Sequence, residues 1–291
     1  MTEESTRWGG RGGTAKGVLL VAVSAFFAST AGLFSKGIAA DAWSIIFWRG
    51  VFVILSSLLW LAITGRWRNE ARRFGGSALA VAVLYAAATG AFIPAFKLTS
   101  VANVVLIWAA APVLAGALGW WIFGQRMTAG FMLACASVLA GTAVIVWGSL
   151  GGSRLSGDLL ALWMTLMMVL IMTIYRRFPE TPAALPIVGA SLLLLPVCWV
   201  LGDPASASAG QIALTALFGL TYVVASVTLA GGSACLAPGE TALVSVSETP
   251  WAILLVGLVL AEWPSTQAAI GGTVIMAAVL WYQVTALRRG A

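Results

Sequence analysis

Thr99 to Arg126 reads TSVANVVLIWAAAPVLAGALGWWIFGQR, an apolar run longer than the roughly 20 residues that cross a bilayer as a helix. It carries an amide near its start (Asn103), a proline in its interior (Pro112), a tryptophan pair near its end and a charged exit. A second stretch repeats the design. Glu240 to Trp263 reads ETALVSVSETPWAILLVGLVLAEW, with Thr241 in the place of Asn103, Pro250 in the place of Pro112 and Glu262 at the exit. The two prolines lie 138 residues apart, from 112 to 250. A spanning helix that occurs twice, with an interior proline each time, is the pattern of paired half-sites in a transporter.

The rest of the chain agrees with a lipid solvent. Hydrophobic residues make up 60% and charged residues 9%, and mean hydropathy is +0.98, where a soluble domain has roughly a quarter of its residues charged. Apolar runs of spanning length fall at about 17–36, 43–64, 77–97, 100–124, 129–148, 157–176, 183–201, 210–234, 240–261 and 267–287. The predicted fold is therefore all-α and integral to the membrane, with ten transmembrane helices, because each span must satisfy its own backbone in lipid. Spacers between the runs are too short for a soluble domain. Arg7, Arg11 and Lys16 ahead of the first run resemble the start of a signal peptide. That run exceeds the usual h-region of about 7–15 residues and has an internal counterpart at Gly157, so it reads as a retained helix.

With the N-terminus inside, twelve of the sixteen Lys and Arg fall in inner segments and only Lys36, Lys97 and Arg154 in outer ones. By the positive-inside rule both termini face the cytoplasm. Five helices per half is an odd number, so the halves enter the membrane from opposite sides. The expected organisation is a cytoplasmic tail (1–16), a first five-helix repeat (17–148) and a second, inverted one (157–287). Gly17 and Gly157 open the halves, and Gln125 and Glu262 close the proline-containing helices.

At this point the chain resembles the drug/metabolite transporter superfamily in its ten-helix form with two EamA-type repeats. The residues that carry the likeness are Phe47-Trp48-Arg49, Pro112, Pro250, and the exit Phe123-Gly124-Gln125-Arg126-Met127-Thr128. Two departures stand out: Gln125 replaces the glutamate usual at that exit, and Gly189 stands opposite Arg49 in the second half. The resemblance implies a secondary transporter of a bacterial inner (plasma) membrane that exports amino acids, aromatic and other neutral ones among them. Drug-like cations or other small metabolites are the alternative cargo. It implies no cofactor, no nucleic acid, no obligate protein partner and no partner other than the substrate and the lipid bilayer.

Other chemistries lack residues. The chain has no histidine, which removes His-based metal sites and serine triads, and no pair of intramembrane carboxylates at helical spacing that a lipid-acting enzyme would need. Gly9 to Gly17 lacks the Gly-Lys-Ser/Thr ending of a phosphate loop. Cys135, Cys198 and Cys235 all lie inside apolar runs, so no disulfide framework is expected.

The candidate substrate-binding residues are Glu248, Ser245, Thr241, Asn103, Tyr85, Trp108, Trp163 and Tyr222, with Pro112 and Pro250 as hinges. Glu248 is the only carboxylate well inside a predicted span, and an ionisable residue at that depth marks a pathway by default. Thr241, Ser245 and Glu248 follow at spacings of four and three, one polar stripe of a continuous helix. Pro112 and Pro250 each displace the carbonyl four residues earlier, those of Trp108 and Val246. Tyr85, Thr89, Phe92 and Phe96 share a helix face that is either lipid-facing or a cavity wall. Trp163 with Met164, Met167 and Met168, and Tyr222 with Ser226, suit a surface that accepts several apolar shapes. Arg49 lies near the outer end of its span, where its stem is expected to snorkel to the interface or pair structurally.

Overall fold

The computed structural model describes residues 11–98, 104, 107–146, 155–260 and 266–289. Among these there is no strand. The helices are α1 (Arg11–Gly37), α2 (Ala42–Thr64), the short α3 (Trp67–Arg72), α4 (Gly76–Leu98), α5 (Ala111–Phe123), α6 (Ala129–Val146), α7 (Leu155–Arg177), α8 (Ala184–Leu201), α9 (Ala209–Cys235), α10 (Pro238–Ser245), α11 (Glu248–Leu260) and α12 (Thr266–Arg289). Six of them are long and apolar enough to cross a membrane, while Gly76–Phe92, Ile107–Phe123 and Ala129–Ile145 are shorter apolar helices. The run expected at 240–261 is two helices rather than one.

Local chemistry sets the ends. Asp41 caps α2 by accepting from the Trp43 and Ser44 amides at 2.9 and 3.0 Å. Burial works against the charged form of Asp41, but hydrogen bonds from Ser44, Asp203 and Trp43 outweigh it and hold the carboxyl below its ordinary range. Gly65 closes α2 and Gly124 closes α5, each at positive φ of 64° and 67°, a conformation that costs glycine nothing. Ser208 and Gln211 form a capping box at the start of α9.

The surface is apolar and the interior holds the polar groups. Trp121 is 82% exposed, Val200 80% and Ile63 77%, whereas Arg49, Glu70, Thr142, Thr241 and Ser233 are buried. That inversion is what a lipid solvent selects. Buried hydroxyls are spent between helices or on their own backbone: Ser24 donates to the Ala225 carbonyl at 2.8 Å and Thr30 to Thr221 at 3.2 Å, which ties α1 to α9.

The most extensive helix pairings follow one rule. They are α1 with α9, α4 with α7, α6 with α12, α2 with α8, α4 with α8, α2 with α9, and then α5 with α10. If α1, α2, α4, α5 and α6 are set on α7, α8, α9, α10–α11 and α12 in that order, α1·α9 becomes α7·α4. The α2·α8, α5·α10 and α6·α12 pairs each map onto themselves. The α2·α9 pairing likewise has its counterpart in α4·α8. The α5·α10 crossing is so close that a Cβ on Gly239 would stand 3.1 Å from the Gly116 Cα.

Two connections join the halves at opposite ends of the bundle. Glu70, on α3, accepts from the amides of Ala183, Ala184 and Leu185 at the start of α8, the shortest at 2.9 Å, and Thr181 donates to Ser77 at 2.9 Å. At the other end Gln211 donates to the Ala39 carbonyl at 2.6 Å and Trp48 to the Pro204 carbonyl at 2.9 Å.

Candidate functional site

The helices of Pro112 and Pro250 are both broken, though not at the prolines, whereas α4 and α8 run unbroken through Pro94 and Pro196. The first break falls at Ala110, immediately before α5, and Pro112 is the second residue of that helix. The second falls at Val246 and Ser247, and Pro250 is the third residue of α11. A proline is tolerated in a first turn because amides there lack a helical partner. The two helices are broken, as the interior prolines lead one to expect, but each proline lies in the first turn of the new helix rather than at the break. Nor is the Val246 carbonyl freed. It accepts from the Thr249 amide at 3.1 Å, a tightened turn in place of the lost bond.

The break also divides the polar stripe. Thr241 and Ser245 end α10, Glu248 begins α11, and the two-residue turn between them shifts the helical phase. The hydroxyls of Thr241 and Ser245 donate to the carbonyls of Ala237 and Thr241, at 3.2 and 2.9 Å. They satisfy their own helix. Glu248 is half-buried at the first position of α11, where the helix dipole favours an anion. Among the described residues no donor or cation reaches its carboxylate. Asn103 lies outside the described residues.

Of the aromatic face of α4, Tyr85 points inward and Phe92 is half-buried, while the Phe96 side chain lies outside the described residues. Tyr85 is 2% exposed, with a hydroxyl that finds no hydrogen-bond partner, and it packs with Val53, Tyr175, Ile187, Val223 and Tyr222. Trp108 wedges between two apolar clusters, against Met168 and near Met164 and Met167, with its indole nitrogen buried and unpartnered. Trp163 does not join them: it is 49% exposed while Met164 and Met167 are buried. Trp163 stands at the edge of the buried face, and the methionines take the interior.

Of the two fates expected for Arg49, snorkelling is not the one taken: the residue is 6% exposed. Its guanidinium lies between two rings of α9, 5.0 Å from the Phe218 centroid and 4.8 Å from that of Tyr222. These rings are four residues apart on one helix face, and Gly219 between them lets α9 lie on α2. A Cβ there would stand 3.2 Å from the Arg49 carbonyl oxygen. Arg49, Thr89, Ser191 and Tyr222 line a cavity bounded by α2, α4, α8 and α9. Its free volume is about 10 Å³, near the minimum for one water molecule. Glu248 is not among its lining residues. The structure therefore separates the predicted residues into two places: the cavity of Arg49 and Tyr222, with Tyr85 packed on Tyr222, and the broken helices with Glu248 and Trp108.

Sequence reasoning missed Glu70. Its one signal is that it is the sole acid in a loop that otherwise carries Arg66, Arg68, Arg72 and Arg73.

Because each break adjoins a proline, Pro112→Ala with Pro250→Ala is expected to leave the protein folded and abundant while slowing turnover. An amide restored at each position favours a continuous helix, hence one conformation over the other. Unchanged initial rates in the double variant would make the prolines packing elements only.

No curated protein matches the chain. A solved structure titled only "Crystal structure of protein" superposes with a TM-score of 0.79 at 16% identity, over 94% of this chain and 98% of that one, which is a likeness of fold. Residues 15–147 match the model of the EamA-like transporter family, so the first half of this membrane-type helical chain is similar to an EamA transporter domain.

Proposed function

We propose that the chain is a secondary transporter of the drug/metabolite superfamily that exports amino acids by alternating access. In this reading ten crossings form two inverted repeats, 17–148 and 157–287, with both termini in the cytoplasm of a bacterial cell. The observation that carries it is the pair of helix breaks at equivalent places in the two halves, Ala110 and Val246–Ser247, on helices that cross at Gly116 and Gly239. Broken helices at a repeat interface are where transporters bind cargo. The helix pairings, which map onto themselves when the halves are exchanged, support the repeat reading. Amino acids, and aromatic ones first, are favoured by the Tyr85, Trp108 and Tyr222 side chains in the interior. A drug-like cation fits less well, because the buried Arg49 would repel it from the α2–α8 cavity.

Proteoliposomes test the function. Saturable phenylalanine uptake that is stimulated by phenylalanine inside the vesicle identifies a carrier; flux linear in concentration identifies a pore. Competition by the other amino acids and by cationic drugs then ranks the cargo.

Topology has its own check. In a background without the native cysteines, a cysteine at exposed Ser206 should label from outside the cell. Cysteines at exposed Asn69 and Glu180 should label only after permeabilisation. Thr181 is unsuitable, being buried against Ser77, and Ser153 lies outside the described residues. The opposite pattern would refute the orientation.

A further inference from the structure

We propose that Arg49, held between Phe218 and Tyr222, is the residue that binds the carboxylate of the transported molecule. The charge balance at Arg49 is incomplete. A guanidinium stays protonated in proteins, and withdrawing it from water costs several kcal/mol. The Phe218 and Tyr222 rings attract the guanidinium through cation–π contacts but carry no negative charge to neutralise it. Among the described residues no carboxylate or carbonyl accepts from Arg49, and its titratable neighbours are Tyr222 and Cys198, neither an acid in its ordinary state. The remaining cost is offset by an anion in the cavity.

The cavity has the groups to hold one. The hydroxyls of Thr89, Ser191 and Tyr222 line it beside the guanidinium, and none of the three donates to an acceptor among the described residues. A planar fork with adjacent hydroxyl donors matches a carboxylate, which takes two parallel N–H bonds. One cation suits a monoanion and leaves a phosphate dianion half compensated. The position also fits: α2 and α4 come from one half and α8 and α9 from the other, and α2·α8 is a pairing that exchange of the halves leaves unchanged. Both halves therefore contact anything bound there. The small free volume means that the helices must part for cargo to enter.

The carboxylate assignment rests on the transporter reading, but not on the cargo being an amino acid. The test measures equilibrium binding of four probes to the purified full-length protein: L-phenylalanine, L-phenylalaninamide, 3-phenylpropionate and 3-phenylpropionamide. Each acid is expected to bind at least about 30-fold tighter than its own amide, the scale for removing one partner of a buried charge pair. Arg49→Gln should abolish that preference while leaving the amides where they were. Arg49→Lys, which keeps the charge without the fork, should lose about tenfold and serves if the glutamine variant does not fold. Acid and amide binding alike in the wild type, a preference that survives Arg49→Gln, or no binding of either acid would overturn the assignment. Arg49-dependent binding of 3-phenylpropionate equal to that of phenylalanine would uphold the carboxylate site and withdraw the amino-acid cargo.

Discussion

Glu248→Gln is expected to weaken phenylalanine binding by at least about 30-fold while the melting temperature stays within a few degrees of wild type. The carboxylate stands at the first position of α11, beside the break, half-buried and without a partner among the described residues. Its link to the rest of the fold is the helix dipole, which contributes about 0.3–1 kcal/mol; glutamine retains part of that. Glu248 does not line the Arg49 cavity, so it meets a bound ammonium only once the helices have parted for cargo, and truncating one side of such a desolvated charge pair costs about 2–5 kcal/mol. Removing the titratable group should also flatten the dependence of transport on pH. If Glu248 instead braces a neighbouring helix, stability falls and the surviving protein binds normally. Affinity and melting temperature measured on one preparation separate these outcomes, and normal affinity would remove Glu248 from the site.

Glu70→Ala should destabilise the protein by about 3 kcal/mol and make the end of the bundle at which α3 meets α8 more accessible. The buried carboxylate accepts from three consecutive amides at the start of α8, and hydrogen bonds to a charged group contribute about 1.5–3 kcal/mol each, not additively. Alanine leaves those amides without an acceptor at a helix start whose own cap residue, Ala183, supplies none. The contact also crosses between the halves. Only a state in which α3 meets α8 gains it, so its loss shifts the equilibrium toward the state in which that end is apart. A bias of 3 kcal/mol is about 150-fold in population. Glu70→Gln keeps one acceptor oxygen and should fall between. Cysteine accessibility along α8, probed from each side, reads the shift. An unchanged melting temperature together with unchanged accessibility would contradict both parts.

The all-helical character was legible because lipid permits few solutions: long apolar runs must be helices, and where they fall follows from composition along the chain. The two breaks were legible from the matching positions of Pro112 and Pro250, not from proline alone, since α4 and α8 continue through Pro94 and Pro196. The consequence of a proline was less so. Whether a proline kinks a helix or starts a new one depends on whether the preceding turn finds other bonds, as the Val246 carbonyl does with Thr249.

Side-chain partners between helices were beyond reach of spacing arguments. Sequence placed Arg49 near a span end, where snorkelling is the cheapest fate for a long cation. The approach of α9 at Gly219, 170 residues away in the chain, closes that route and supplies two rings instead. Trp163 and its methionine neighbours had the same apolar character, and only the direction in which α7 packs on α4 decided which of them faced the interior. Glu70 looked like one acid in a basic loop until the start of α8 was set against it. What the sequence determined by itself is what the solvent and the backbone demand locally: helices, breaks, ends and apolar surface. What the tertiary structure alone decided is which buried charges have partners, because that depends on contacts between segments whose separation leaves no periodic trace.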